Sequence, residues 1–202
     1  TVAALGVATP AWLDDYYRLS SPDGTVAGRR AAQAAALADL LRAGAVVPAE
    51  IAGLPGPAYL HAERLADLER HRAGHRPAHT TLLTPFDSLI WHRERARTLF
   101  GYEVCFEAYV VPERRRYGYY CLAILHDGRL VGRIDPKVER SARRLLVRAL
   151  YLEPGVAPDP DLLNGLAGAL ASLARFLGAQ TVAVERTEPA GLGPLLTERV
   201  GR

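Results

Sequence analysis

The sequence predicts an α+β fold: a winged helix-turn-helix, then a small curled antiparallel sheet or partial barrel, closed by C-terminal helices. Three observations predict it. Helical spacing and an alanine-rich run fill residues 10–43, and two short extended runs follow. Residues 103–152 read as successive short strands broken by Gly, Pro and Asp turns. Residues 160–199 return to helical periodicity around one further strand.

The first elements follow from their end signals. TVAALGVATPAWL looks like the end of one helix running into the next, and Pro10 opens PAWLDDYYRL where its missing N–H costs little. SSPDGT, residues 20–25, is a turn cluster. Val26 to Ala43 is a long helix with Leu37, Leu40 and Leu41 on one face, and Gly44 ends it. VVPAEI and PAYLHA are two strands turning at LPGP, and ERLADLERH is a further helix. Residues 1–72 form the winged-helix domain of this reading. Residues 73–81 form a linker, and residues 82–202 a domain of antiparallel sheet plus helices. His71, His75 and His79 recur every four residues, but Pro77 breaks a helix there and no Cys or carboxylate completes a ligand set, so no metal site is assigned.

In the second part TLLT is a short strand. Asp87 or Ser88 caps a helix running to Phe100, with Trp91 and Phe100 buried and Gly101 ending it. Strands follow near 103–111, 118–125, 129–134 and 144–152, with turns at ERRRYG and HDG. Asp135, before Pro136, sets a turn. A helix from Pro160 to Leu177, the strand TVAVER and a helix from Leu192 to Arg199 complete the chain.

Composition narrows the function classes. Apolar content of 49% and charged content of 23% are those of a globular protein. No apolar run approaches the roughly 20 residues of a membrane span, and no signal peptide is visible. Cys105 and Cys121 read as free thiols buried in strands, which fits a cytoplasmic protein. Methionine is absent even at position 1, and we read the chain as a piece of a longer protein. All basic residues but Lys137 are arginine, a bias that a GC-rich genome also produces. Position says more than total. Arg93 to Arg148 holds thirteen basic and seven acidic residues, a concentrated phosphate-binding footprint.

Within that stretch, Arg93 and Arg97 stand four apart on one helix face, free for phosphates unless Arg97 pairs with Glu94. Arg114, Arg115 and Arg116 at a hairpin tip would fan onto phosphates, with Tyr117, Tyr119 and Tyr120 along a groove or stacked on an unpaired base. The alternative is a solvated basic turn over core tyrosines. Arg129, Arg133 and Lys137 complete the DNA-binding set. Arg29, Arg30 and Gln33 lie on the second helix, which faces the groove or packs on a neighbouring domain. Asp87 is the nearest local carboxylate to a catalytic acid, but its place at a helix start favours capping.

The runs TPFDSLIW, RERARTLFGYE, RRRYGYY and LVGRIDPK closely resemble the C-terminal half of the winged-helix DNA glycosylases that unhook interstrand crosslinks, the YcaQ-like and AlkZ-like proteins. The resemblance extends more weakly from about residue 3 to about residue 198. It implies tandem winged helices around a concave basic surface, with a hairpin in the cleft that activity needs. It implies hydrolysis of the N-glycosidic bond of bulky or crosslinked alkylated bases, without a cofactor. The arginine footprint, with no obvious set of groove-reading side chains, adds duplex DNA bound largely without sequence preference as the partner. In the family that work falls to a Gln-x-Gln or Gln-x-Asp motif near the start of the full protein. The only glutamines here, Gln33 and Gln180, precede Ala34-Ala35 and Thr181-Val182, so no catalytic residue is carried over. The missing N-terminal winged-helix segment is then a partner of this chain. The expected location is the cytoplasm, at the bacterial nucleoid during repair. The competing readings are a non-catalytic winged-helix DNA-binding protein of regulatory or architectural type, and a degenerate relative serving protein interaction.

Overall fold

The computed structural model describes residues 1–17, 20–21, 23–75 and 77–200. It is an α+β structure of two compact units, Thr1–His75 and Arg76–Arg202. Pro22 of the expected turn and Arg76 of the expected linker lie outside the described residues.

The first unit runs α1 (Val2–Leu5), β1 (Val7–Ala8), α2 (Pro10–Tyr17), α3 (Val26–Arg42), β2 (Val46–Ile51), β3 (Leu54–His61) and α4 (Leu65–Arg72). Thr25 caps α3 by accepting from the Gly28 amide at 2.9 Å. Val2, Leu37 and Val46 form a small core with Leu13, Leu41 and Tyr59 around it, while Leu40 stays exposed. The strands make an antiparallel sheet in the order β1-β3-β2. The hairpin turns at Ala52-Gly53 rather than at LPGP. Gly53 takes the positive φ of 76° that the two-residue turn requires, and Leu54 already pairs with Ile51.

The second unit holds β4 (Thr80–Leu83), α5 (Arg93–Phe100), β5 (Leu122–His126), β6 (Arg129–Glu139), β7 (Arg144–Leu152), α6 (Pro160–Phe176), β8 (Thr181–Val184), β9 (Thr187–Glu188) and α7 (Leu192–Val200). β4 starts at Thr80, inside the stretch expected as linker. The sheet order is β4-β5-β6-β7-β8, with β9 also on β7. It is mixed rather than antiparallel, because β8 and β9 join β7 in parallel after the α6 crossover. Asp127 and Gly128, with φ of 47° and 78°, make the tight turn between β5 and β6 that HDG announces.

Asp135 does not set a turn. β6 runs straight through it, and the ladder to β7 shifts register between Asp135 and Pro136, which absorbs the proline's missing N–H as a bulge. Asp159 caps α6, accepting from the Leu162 amide at 2.8 Å, and Pro160 sits in its first turn. Leu162, Leu166 and Leu170 of α6, with Leu192 and Leu196 of α7, bury one sheet face through Ile124, Ile134, Val147 and Leu150. The other face is covered by α5 and the chain after it, through Leu83, Ile90, Ala96, Tyr102, Ala123 and Leu130.

Two expectations on that second face need correction. The helix does not begin at Asp87. Asp87 Oδ1 accepts from the Leu89 amide at 2.9 Å and closes a turn, whereas His92 caps α5 by accepting from the Arg95 amide at 3.2 Å. Trp91 and Phe100 are half-buried. Residues 103–111 and 118–121 form no strand, and β5 begins only at Leu122. Several backbone groups there bond to side chains instead: the Glu103 carbonyl to Arg133, the Val110 carbonyl to Arg115 and the Gly118 amide to Glu107. Cys105 is therefore half-buried outside any strand. Cys121 is buried just ahead of β5, and burial pushes its thiol up to about 12.

Candidate nucleic-acid interface

Residues 102–121 lie as a strap across the second face of the sheet, held by side chains instead of a ladder. Tyr102 anchors one end, its hydroxyl donating to the Gly132 carbonyl at 3.2 Å. Arg133 holds the middle. Its guanidinium lies 4.5 Å from the Tyr102 ring centre and 4.2 Å from that of Tyr117. It donates to the Glu103 carbonyl at 2.9 Å and to the Glu153 carboxylate at 2.6 Å. Tyr117 meets Tyr151 edge-on at 5.1 Å, and Tyr151 is the cross-strand partner of Arg133. Beyond it, Gly118 lies so close to Asp135 that a Cβ would occupy the space of the carboxylate. Asp135 is itself buried and paired with Arg148 at 2.8 Å.

Glu107 supplies the last fastening. Its carboxylate accepts from the amides of Arg116 and Tyr117, each at 2.8 Å, and of Gly118 at 3.2 Å. Burial acts to raise its pKa, but these three bonds and the Arg115 charge outweigh it and hold the carboxyl below its ordinary value of 4.5. A depressed folded-state pKa means that the stabilisation is complete above about pH 4.5 and is lost as pH falls through the lower folded value. Glu107→Gln therefore costs about 1.5–3 kcal/mol near neutrality, the range for hydrogen bonds to charged groups. That difference from the wild type should shrink below pH 4.5, which urea unfolding across pH would measure. A difference independent of pH would show that the charge is not what holds the loop.

The strap corrects the sequence reading of the arginine turn. ERRRYG is not a hairpin tip. Pro112–Arg114 form one turn of 3-10 helix, with no ladder on either side. Of its arginines, Arg114 and Arg116 are exposed, while Arg115 is half-buried and donates to the Val110 carbonyl at 2.8 Å. Arg115 also lies 5.1 Å from the ring centre of exposed Tyr119, and Arg116 lies 4.7 Å from that of Tyr117. Tyr117 is half-buried inside the strap and Tyr120 packs toward the α6 core.

Arg133 also leaves the set of direct contacts. Only 3% of it is exposed, and its guanidinium is spent on two rings, a carbonyl and a carboxylate. Arg93 and Arg97 are exposed on α5, and the Arg97–Glu94 pair does not form. Arg129 and Lys137 are exposed on β6. Among the described residues, none of Arg93, Arg97, Arg114, Arg116, Arg129 and Lys137 has a carboxylate at ion-pairing distance, whereas Arg144 and Arg148 do. In the first unit Arg29 is paired with Asp14 at 2.7 Å and Gln33 donates to the Pro10 carbonyl at 2.7 Å, so both serve the fold.

Sequence reasoning missed Arg95, Glu107 and Glu153. Arg95 is buried on the inner face of α5 and donates to the Leu89 carbonyl at 2.8 Å. A buried Arg two residues from exposed ones leaves no trace in the composition. The signal for Glu107 was available: it is an acid inside the alternating run EVCFEAYVV, where an inward side chain needs hydrogen-bond donors.

Residues 1–176 match the family model described as DNA glycosylase AlkZ-like. The chain belongs to the AlkZ-like DNA glycosylase family. The match spans the whole first unit and the second through α6, so the strap and every cation discussed above lie inside it. Membership carries a DNA glycosylase-type function in general, with DNA as the partner. No solved structure matches the chain. No helix among the described residues is long and apolar enough to cross a membrane.

Proposed function

We propose that this AlkZ-like chain grips duplex DNA by its backbone, largely without regard to sequence, for a glycosylase that removes bulky or crosslinked alkylated bases. One observation carries the reading. The arginines of the middle segment divide into those engaged by the fold, Arg95, Arg115, Arg133, Arg144 and Arg148, and exposed ones with no carboxylate at ion-pairing distance. Unpaired guanidinium groups on a surface suit phosphates, which position a duplex without reading its bases. The first unit's helices followed by a two-stranded hairpin support a winged-helix reading. With Arg29 and Gln33 committed internally, exposed Arg30 is the cation α3 would offer. No residue of this chain is assigned to bond hydrolysis, because Gln33 is held by Pro10 and neither glutamine stands in the family's motif.

The test is duplex binding by fluorescence titration between about 50 and 200 mM salt. Affinity should fall steeply with salt. The pair Arg114→Ala and Arg116→Ala should flatten the slope of log K against log salt by about 2, since each phosphate contact contributes about 0.9. Arg115→Ala should change that slope little, because Arg115 is already bound to Val110 and Tyr119. An unchanged slope in the folded double variant would remove the strap from the interface and leave Arg93 and Arg97 as its candidates. A thousandfold preference for one base sequence would favour a regulator instead.

A further inference from the structure

Four aromatic rings on the second unit form a chain whose outer members neither core packing nor the phosphate reading uses. Phe106 meets Phe86 at 5.1 Å, Tyr109 at 5.8 Å and Tyr120 at 5.7 Å between ring centres, all steeply tilted or edge-on. Tyr120 packs against the α6 core, so the chain runs from the interior to solvent. At its outer end Tyr109 is 94% exposed and Phe86 is 65% exposed. Holding two such rings in water forgoes burial that a folded chain normally takes, and a contiguous exposed apolar patch marks a binding surface.

The rings rise from pinned backbone. Tyr109 stands on the turn 107–110, closed by the Val110 amide on the Glu107 carbonyl at 3.0 Å. Arg115 ties the Val110 carbonyl from the other side at 2.8 Å. Phe86 stands on the turn 84–87, closed by the Asp87 amide on the Thr84 carbonyl at 2.9 Å. Platforms set before the ligand arrives lose little entropy on binding. Three consecutive arginines on the same strap bear on the choice of ligand. Arg114 and Arg116 are exposed, and Arg115 lies beside exposed Tyr119. Of the strap's three acids, Glu107 is turned onto backbone amides, while Glu103 and Glu113 face solvent. Exposed aromatic rings on a segment that also carries exposed guanidinium groups fit a ligand that is aromatic and anionic in alternation.

We propose that Phe86, Phe106 and Tyr109 form a stacking platform for unpaired nucleobases of locally single-stranded DNA, with Arg114 and Arg116 on the adjoining phosphates. This rests on the reading of the chain as a DNA binder and adds a second kind of contact to it. A paired base hides both faces in the duplex stack, so the platform serves strand regions that have opened.

The test compares a fluorescein-labelled short oligo(dT) with a duplex of the same length, by anisotropy, on the whole chain. Phe86→Ala and Tyr109→Ala should each weaken oligo(dT) binding by about tenfold and leave duplex binding within about twofold, given the usual strength of base–aromatic stacking. Tyr109→Phe should bind as the wild type does, since the ring and not the hydroxyl acts. A 2-aminopurine base in the oligonucleotide should be quenched by the wild type and not by the double alanine variant. Unchanged oligo(dT) affinity in the alanine variants would overturn the platform, as would equal losses on both ligands. A wild type that binds duplex but not oligo(dT) would also overturn it, while the duplex reading stood. A wild type that binds neither would overturn both.

Discussion

Arg133→Met is expected to destabilise the protein by about 3–5 kcal/mol, through the loss of a buried cation that joins several groups. The side chain is 3% exposed and joins four groups from three parts of the chain: Tyr102 and Glu103, Tyr117, and Glu153. Met fills a similar volume and can lie between the tyrosine rings, so a cavity is not the main effect. The loss falls on the Glu103 carbonyl and on the two cation–π contacts, each worth up to about 2 kcal/mol when desolvated. Glu153 keeps partial access to water and adds less. Arg133→Lys should recover little, because an ammonium cannot span both rings and reach the carbonyl and the carboxylate together. Urea unfolding with a stability loss under about 1 kcal/mol would show that the strap is held elsewhere. Trypsin should also cut Arg133→Met sooner at Arg114–Arg116 than it cuts the wild type.

Gly118→Ala should cost about 3 kcal/mol through a different cause. The added methyl would enter the space of the Asp135 carboxylate, which is buried and paired with Arg148. Asp135 cannot swing aside without giving up that pair, and Gly118 cannot retreat without leaving Glu107. Overpacking alone costs about 1–3 kcal/mol, and disturbing the pair adds to it. Asp135→Ala in the same chain should relieve the overlap, so the double variant should lose less than the two single losses combined. Simple additivity would mean that the two residues do not compete for this space.

What the sequence disclosed was whatever local chemistry decides. HDG, Pro160 after Asp159, Gly101 and the α6 leucines each act within a few residues of themselves, and the turn, the two helix ends and the buried helix face they mark stand where they were expected. Alternation in EVCFEAYVV looked like a strand, and the segment does bury Val104, but residues 107–110 close a turn and no ladder forms. Only the fold brings Arg133 between Tyr102 and Tyr117, across separations of more than a dozen residues, and no local pattern announces that. The same limit governed the candidate site. An arginine reads alike in sequence whether it faces water, like Arg114, or lies between two rings, like Arg133. Its neighbours in space decide, and for Arg133 most of them come from the strap.

The strap is fastened by side chains, while the sheet beneath it is fastened by its own ladder and by α6 and α7. Free energies of local opening therefore need not equal that of global unfolding. The strap can detach as one cooperative piece and take Arg114, Arg116 and Tyr109 with it, while the leucine core stays closed. A heat-stressed or mutated molecule would then lose its grip on a ligand at a lower temperature than the one at which its secondary structure melts. Circular dichroism would record an intact protein at the point where function had already gone.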